Sequence, residues 1–322
     1  MEQRNLGYSG LRVSAVGLGC NNFGGRSDAE ESRAVVHAAL DGGVTLFDTA
    51  NGYPVTDRGR SEEILGRILG PRRKEVVVAT KFGIPMGPGG EPGGASRRTI
   101  MAAVEGSLRR LGTDWIDLYQ VHRFDPLTPV EETLRALDDL IRQGKVRYIG
   151  CSNFEAWRVV DALWISRSNG LNRFISCQDE YSLLHRAPET GLLDAMAAHG
   201  LGLLPYFPLA SGLLTGKYRR GGSVPDGARL ATTKPLSDLF LTGRNLEMVE
   251  ALHAFCEARG RSMLELAFSW LLSRPVVGSV IAGASRPEQL AANIAATGWT
   301  LSPEDLAELD RLTDAPQPPV PH

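Results

Sequence analysis

The chain has 322 residues, with 35 lysines and arginines against 37 aspartates and glutamates, a formal net charge of -2. That near balance argues against a nucleic acid or an anionic membrane as the main partner, and the length suffices for one large α/β barrel or two ordinary domains. The amino terminus lacks the apolar run of a secretory signal and nowhere do eighteen apolar residues follow one another, so a cytoplasmic protein is expected, acting on a small soluble substrate.

The opening "RNLGYSGLRVS" places a Tyr-Ser-Gly turn between two short apolar pieces and predicts a β-hairpin. "AVGLGC" (15 to 20) then predicts the first of a series of buried strands. The glycines of "GLGCNNFGG" do not complete a dinucleotide fingerprint, because Asn22 stands at its third glycine and no acidic residue ends a following strand in the expected unit. "DAEESRAVVHAALDGG" repeats Ala34, Val35, Ala38 and Ala39 on one face and stops at Gly42 and Gly43, the signature of a helix. The strand candidates that follow are "VTLFDTA" (44 to 50), "VVVATK" (76 to 81), "WIDLYQVH" (115 to 122), "VRYIGCS" (146 to 152), "RFISCQ" (173 to 178), "LGLLPYFP" (201 to 208) and "VGSVIAG" (277 to 283). Helical spacing recurs between them in "SEEILGRILG", "RRTIMAAVEGSLRRLG", "PVEETLRALDDLIRQG", "EAWRVVDALWIS", "ETGLLDAMAAHG" and "NLEMVEALHAFCEARG".

Eight strand candidates alternating with helices predict a (β/α)8 barrel with an N-terminal hairpin, a fold that typically needs ~250 residues. Short connections predict one domain over 1–322. Two loops break the rhythm: the Gly- and Pro-rich "FGIPMGPGGEPGGAS" (82 to 96), and the connection from Thr215 to Thr242, which shows no clear element. "SPEDLAELDRL" predicts a further C-terminal helix before the Pro-rich "APQPPVPH". Cys20, Cys151, Cys177 and Cys256 lack the spacing of a zinc site or a disulfide framework and read as small reduced hydrophobes.

A barrel gathers its chemistry at the carboxyl ends of its strands. Those ends carry Asp48 with Tyr53, Lys81, His122, Ser152 with Asn153, Gln178 and Tyr206. Singly, each has a structural explanation, but their joint occurrence at equivalent points does not. Lys81 ends a buried strand, so its charge must be paired, shifted or used. As a neutral amine it could form a Schiff base with a carbonyl. As a cation paired with Asp48 on the adjacent strand it would instead lower the pKa of Tyr53 from about 10 and make that phenol a usable general acid. The carboxylate beside it suits the second role better. Phe23, Phe82 and Phe124, after strands one, three and four, are candidate walls of a substrate pocket.

The segments "LGYSGLRVSAVGLG", "LFDTANGY", "ATKFG", "LRRLGTDWIDLYQVH", "GKVRYIGCSNF", "PLASGLLTGKY" and "GASRPEQLAAN" resemble the aldo-keto reductases, in order and over nearly the whole chain, in the style of the bacterial and potassium-channel-β-like branch. The resemblance implies a catalytic tetrad of Asp48, Tyr53, Lys81 and His122, with Tyr53 giving a proton to a carbonyl oxygen after hydride transfer from NADPH. It implies that Ser152, Asn153 and Gln178 hold the nicotinamide carboxamide and that Tyr206 stacks on the ring. Leu209, Ser211, Lys217 and Arg229 would follow the pyrophosphate, and Gly283, Ser285, Arg286, Gln289 and Asn293 the adenosine end. Arg286 is the implied reader of a ribose 2′-phosphate, which points to NADPH over NADH. Three positions depart from the pattern: Phe207 replaces a serine of many relatives, Ala292 a glutamate, and Gln289 an arginine. The implied activity is reduction of an aldehyde or ketone without a metal; the alternative is an NADP(H)-binding regulatory subunit with little turnover.

Overall fold

The computed structural model describes residues 1–87, 89–219, 222 and 227–313. The Pro-rich end of the chain lies outside them. Its frame is a ring of parallel strands: β3 (Val16–Gly19), β4 (Leu46–Asp48), β5 (Val77–Phe82), β6 (Ile116–Val121), β7 (Val146–Ser152), β8 (Phe174–Gln178), β9 (Gly202–Leu203) and β10 (Val280–Gly283). Their order in the sheet is β10-β3-β4-β5-β6-β7-β8-β9. A parallel bridge between Leu203 and Val277, with Gly278 N donating to Leu203 O at 2.9 Å, joins the two ends. Closure removes both exposed edges.

Helices cover the outside of the ring: α1 (Ala29–Asp41), α2 (Arg60–Leu69), α3 (Arg97–Leu111), α4 (Val130–Arg142), α5 (Ala156–Ser168), α6 (Leu192–His199), α9 (Gly243–Glu257), α10 (Met263–Leu272), α11 (Pro287–Ala295) and α12 (Pro303–Thr313). Local chemistry sets several of their starts. Asp28 accepts from the Glu30 and Glu31 amides while Glu31 reaches back to the Asp28 amide, a capping box repeated by Ser262 and Glu265 on α10. Helix α10 escapes a periodicity search because it is apolar all round: Met263, Leu266, Ala267, Phe268, Trp270, Leu271 and Leu272 are all buried.

The hairpin β1 (Gln3–Asn5) and β2 (Arg12–Ser14) forms as expected and plugs the amino-terminal end of the barrel. Its Leu6 and Val13 join Leu46, Ala79, Leu118, Leu204 and Ile281 in one buried cluster. The approach is tight enough that a Cβ on Gly202 would lie 2.6 Å from Gly7 N. With that end filled, the carboxyl end of the strands is the open one. The connection between Thr215 and Thr242, read from sequence as lacking a clear element, contains two short helices, α7 (Arg229–Thr232) and α8 (Lys234–Phe240). Neither reaches two helical turns, too short for a periodic pattern to show in the sequence. Among the described residues no helix is long and apolar enough to cross a membrane, and the four cysteines are buried free thiols.

Candidate active site

Register between neighbouring strands decides which side chains meet. Asp48 ends β4 and pairs with Ala79 of β5, so Lys81, two residues on, points to the same interior face one step higher. Lys81 Nζ donates to Asp48 Oδ2 at 2.7 Å and to the Thr49 carbonyl at 2.9 Å, and its side chain is fully buried. Burial works against the ammonium, but Asp48, Tyr53 and the hydrogen bond to Asp48 outweigh it and hold the lysine pKa above its ordinary value. Lys81 is therefore a paired cation, the opposite of what a Schiff-base nucleophile needs.

Tyr53 lies over this pair, with Lys81 Nζ 5.2 Å from the ring centroid. Its Oη sits 3.5 Å from His122 Nε2, and the two rings meet edge to face. The four residues, read from three separate segments, thus form one cluster. One expectation is corrected: Tyr53 was expected to have a lowered pKa, and it is raised. Burial is the largest influence and exceeds the lowering by Lys81, while Asp48 adds to the rise. His122 is driven the other way, to about 3, by burial and then by the positive charges of Lys81 and Arg123. At neutral pH the pair is a protonated phenol facing a neutral imidazole, whose buried Nδ1 has no hydrogen-bond partner.

A second layer of polar contacts surrounds the cluster. Gln178 Nε2 donates to Asp48 Oδ1 at 2.9 Å. Ser152 Oγ donates to the Gln178 carbonyl at 2.7 Å. Asn153 adopts a left-handed φ of 58°, which asparagine tolerates, and its Nδ2 donates to the His122 carbonyl at 3.0 Å and to Ser152 Oγ at 2.9 Å. Tyr206 Oη closes the chain by donating to Asn153 Oδ1 at 2.8 Å. The ring of Tyr206 is thereby tied to the backbone of His122. Asp179 and Glu180, directly after Gln178, were not singled out from sequence; burial raises both carboxyls to about 7.

Away from the tetrad the rim becomes cationic. Arg229 lies with its guanidinium 5.2 Å from the Phe207 ring centroid; burial lowers its pKa, and the charge of Arg26 adds to that. Lys217 is lowered by burial and by the charges of Arg26 and Arg286. Arg26, Lys217, Arg229 and Arg286 therefore converge from three distant segments, and none of them has a carboxylate within ion-pair reach among the described residues. Arg26 was missed from sequence because nothing in its loop marks it. Between the cations runs the turn Ala210–Thr215, in which Ala210 and Ser211 adopt φ of 45° and 55° and Ser211 Oγ is buried without a partner. Leu209 begins this turn. Across the rim, Gly283 ends β10, Ser285 N and Oγ donate to Gln289 Oε1 at 2.9 and 3.0 Å, Arg286 caps α11 and Asn293 is buried on it.

Mutually repelling cations, strained backbone and an orphaned hydroxyl fit a ligand that carries several phosphates. Of the expected cofactor residues, Tyr206 is hydrogen-bonded to Asn153, Arg229 acts electrostatically on Tyr53, and Arg286 acts on Lys217. Two of the three candidate pocket walls are corrected. Phe23 and Phe82 are fully buried in the core, Phe82 against Tyr119 on the face opposite its strand neighbour Lys81. Phe124 is half-buried beside Phe154.

Comparison with known proteins gives a consistent result. The profile described as the aldo/keto reductase family matches residues 15–314. L-glyceraldehyde 3-phosphate reductase of Escherichia coli (strain K12) is 38% identical over 322 residues, covering 97% of this chain and 92% of the relative. A probable voltage-gated potassium channel subunit beta of Oryza sativa subsp. japonica is 40% identical over 324 residues, covering 98% and 97%. Aldo-keto reductase YhdN of Bacillus subtilis (strain 168) is 34% identical over 326 residues, covering 98% and 94%.

Proposed function

The chain belongs to the aldo/keto reductase family, and from that premise we propose that it is an NADPH-dependent carbonyl reductase in which Tyr53 is the proton donor. The observation that carries the reading is the contact between a neutral His122 and a protonated Tyr53 above a buried Lys81–Asp48 ion pair. Ser152, Asn153, Gln178 and Tyr206 would hold the nicotinamide end of the cofactor, Ser211, Lys217 and Arg229 its pyrophosphate, and Arg286 with Gln289 and Asn293 its adenosine end. When bound, reduced nicotinamide supplies the hydride.

The protein's own part is to bind and polarise the carbonyl oxygen. Tyr53 Oη and His122 Nε2, 3.5 Å apart, both reach one acceptor placed between them. As the carbonyl carbon gains hydride, its π electrons move onto oxygen and that oxygen takes the Tyr53 proton. A raised pKa keeps the donor loaded at neutral pH, and an alkoxide is basic enough to take the proton from it. The phenolate left behind is stabilised by Lys81, whose own charge is balanced by Asp48. Tyr53 regains its proton from solvent.

The Escherichia coli relative, an L-glyceraldehyde 3-phosphate reductase, suggests a small polar aldehyde as substrate. A second reading, a nucleotide-binding subunit with little turnover, draws support from the 40% identity to the rice channel subunit. A panel of aldehydes and ketones followed by NADPH and NADH absorbance separates them. Turnover of any carbonyl that is lost in Tyr53→Phe supports the reductase; NADPH binding without turnover across the panel supports the subunit.

A further inference from the structure

Arg123 follows His122 directly, and the backbone on both sides of it is fixed. His122 N donates to the Phe82 carbonyl at 2.9 Å while the His122 carbonyl accepts from Asn153 Nδ2 at 3.0 Å. Phe124 packs edge-on against Phe154 with centroids 5.4 Å apart, and the Arg158 guanidinium lies 3.6 Å over its ring. Asp125 Oδ2 then ties the turn down by accepting from Ala95 N at 2.8 Å and Thr128 Oγ1 at 2.7 Å. Arg123 is thus a short exposed arm on a rigid base.

The arm carries a charge without a counter-ion. Arg158 on α5, lying over the neighbouring Phe124, pairs with Glu155 at 2.6 Å, whereas Arg123 meets no carboxylate within ion-pair reach among the described residues. Its field is felt by Tyr53, His122 and Tyr206 together. Tyr53 and His122 flank the point at which the carbonyl oxygen would be held, and Tyr206 is tied to the His122 backbone through Asn153. Lys81 cannot serve a ligand there because Asp48 and the Thr49 carbonyl occupy it. The Arg26, Lys217, Arg229 and Arg286 cations suit the cofactor's phosphates. Arg229 also acts on Tyr53, but among the described residues Arg123 is the guanidinium that acts on His122 and Tyr206 as well, and it sits on a chain segment apart from those cations.

We propose that Arg123 is a specificity-determining residue that binds an anionic oxygen group of the substrate, a phosphate or a carboxylate, so that the enzyme prefers small anionic aldehydes over neutral ones of equal size. This rests on the reductase reading. A guanidinium offers a planar fork to such a group, and the pairing is strongest where a rigid base holds it next to the reacting atoms.

The test uses two matched pairs, glycolaldehyde phosphate against glycolaldehyde and succinic semialdehyde against butanal, with wild type, Arg123→Leu and Arg123→Lys. The proposal expects the wild-type kcat/KM ratio of anionic to neutral aldehyde to be about tenfold or more for at least one pair. Arg123→Leu should collapse that ratio mainly through KM, and Arg123→Lys should restore part of it. The ratio cancels any effect of the charge on Tyr53, which acts on both members of a pair alike. A ratio near one in wild type, or one that survives in Arg123→Leu, overturns the proposal. Calorimetric titration of the NADP+ complex with phosphoglycolate and with succinate, neither of which can be reduced, gives a readout independent of turnover. Arg123→Leu should weaken one of them at least tenfold, and equal binding by the two proteins overturns the assignment. Failure of every aldehyde to turn over would sink the reductase reading, and the titration would still decide Arg123.

Discussion

Gln178, at the end of β8, donates from Nε2 to Asp48 Oδ1 at 2.9 Å, so the carboxylate that anchors Lys81 is gripped from across the barrel. Both Asp48 oxygens are thereby spent, one on the cation and one on an amide. A buried ion pair survives only when its remaining lone pairs are also satisfied. Gln178 does this for Asp48 in the same way that the Thr49 carbonyl does it for Lys81.

Removing one partner of that pair should cost more than removing both. Lys81→Met leaves Asp48 as a buried carboxylate and should destabilise the fold by about 3–5 kcal/mol. Asp48→Asn in the same chain should recover a large share, because the amide accepts from Gln178 without a charge to bury. Urea unfolding of the single and double variants reads both numbers; a Lys81→Met protein as stable as wild type would contradict the pairing energetics.

Tyr53→Phe deletes a proton donor and almost no volume. Carbonyl reduction should fall by about 10²–10⁴-fold, the range for losing a positioned acid, while NADPH binding measured by fluorescence stays within a factor of about two. Comparable losses in both would place Tyr53 in cofactor binding instead.

Arg286→Ala should weaken NADPH by about 1.5–3 kcal/mol, the range for hydrogen bonds to a charged group, and leave NADH nearly as before. Arg26 and Arg286 both act on Lys217, so if Arg286 reads the 2′-phosphate it does so beside other cations, and the lower end of that range is the better expectation. Equal losses for the two dinucleotides would show that Arg286 does not read the 2′-phosphate.

Asp179 sets up a pH dependence of stability. Burial raises its carboxyl to about 7 in the folded protein, and its Oδ2 has no partner. A carboxyl whose folded pKa lies above the unfolded one contributes stability below about pH 4 that is lost as pH rises towards 7. Asp179→Asn, which keeps an acceptor for the Asn153 amide, should therefore be about 2–4 kcal/mol more stable than wild type at pH 8, with the difference vanishing near pH 4. His122, lowered to about 3, has the opposite sign: its contribution is complete above about pH 6.5 and falls away as pH drops towards 3. Thermal melts across this range test the Asp179 prediction, and an Asn variant no more stable at pH 8 than at pH 4 would refute it.

The parts that were legible in advance are those governed by local chemistry. Val76 to Ala79 can hardly be anything but a buried strand, and a lysine closing it had to find a carboxylate. The clustering of Asp48, Tyr53, Lys81 and His122 was readable because a barrel sends every strand end to one rim, and the cations Lys217, Arg229 and Arg286, which we propose meet the cofactor's phosphates, stood out through their segments. Helix α10 was not, since a helix buried on all sides shows no periodicity. The short α7 and α8 were not, since so few residues carry no pattern.

The linear order of residues by itself determined the alternation of strands and helices, the hairpin plug and the identity of the groups at the open rim. Only the tertiary structure decided the sign of the Tyr53 shift, the raised carboxyls of Asp179 and Glu180, the grip of Gln178 on Asp48 and the gathering of Arg26 and Arg123 around the site. The reason is physical. Secondary structure depends on neighbours a few residues apart, whereas a pKa or a binding field sums burial and charges contributed by segments that meet only when the barrel closes.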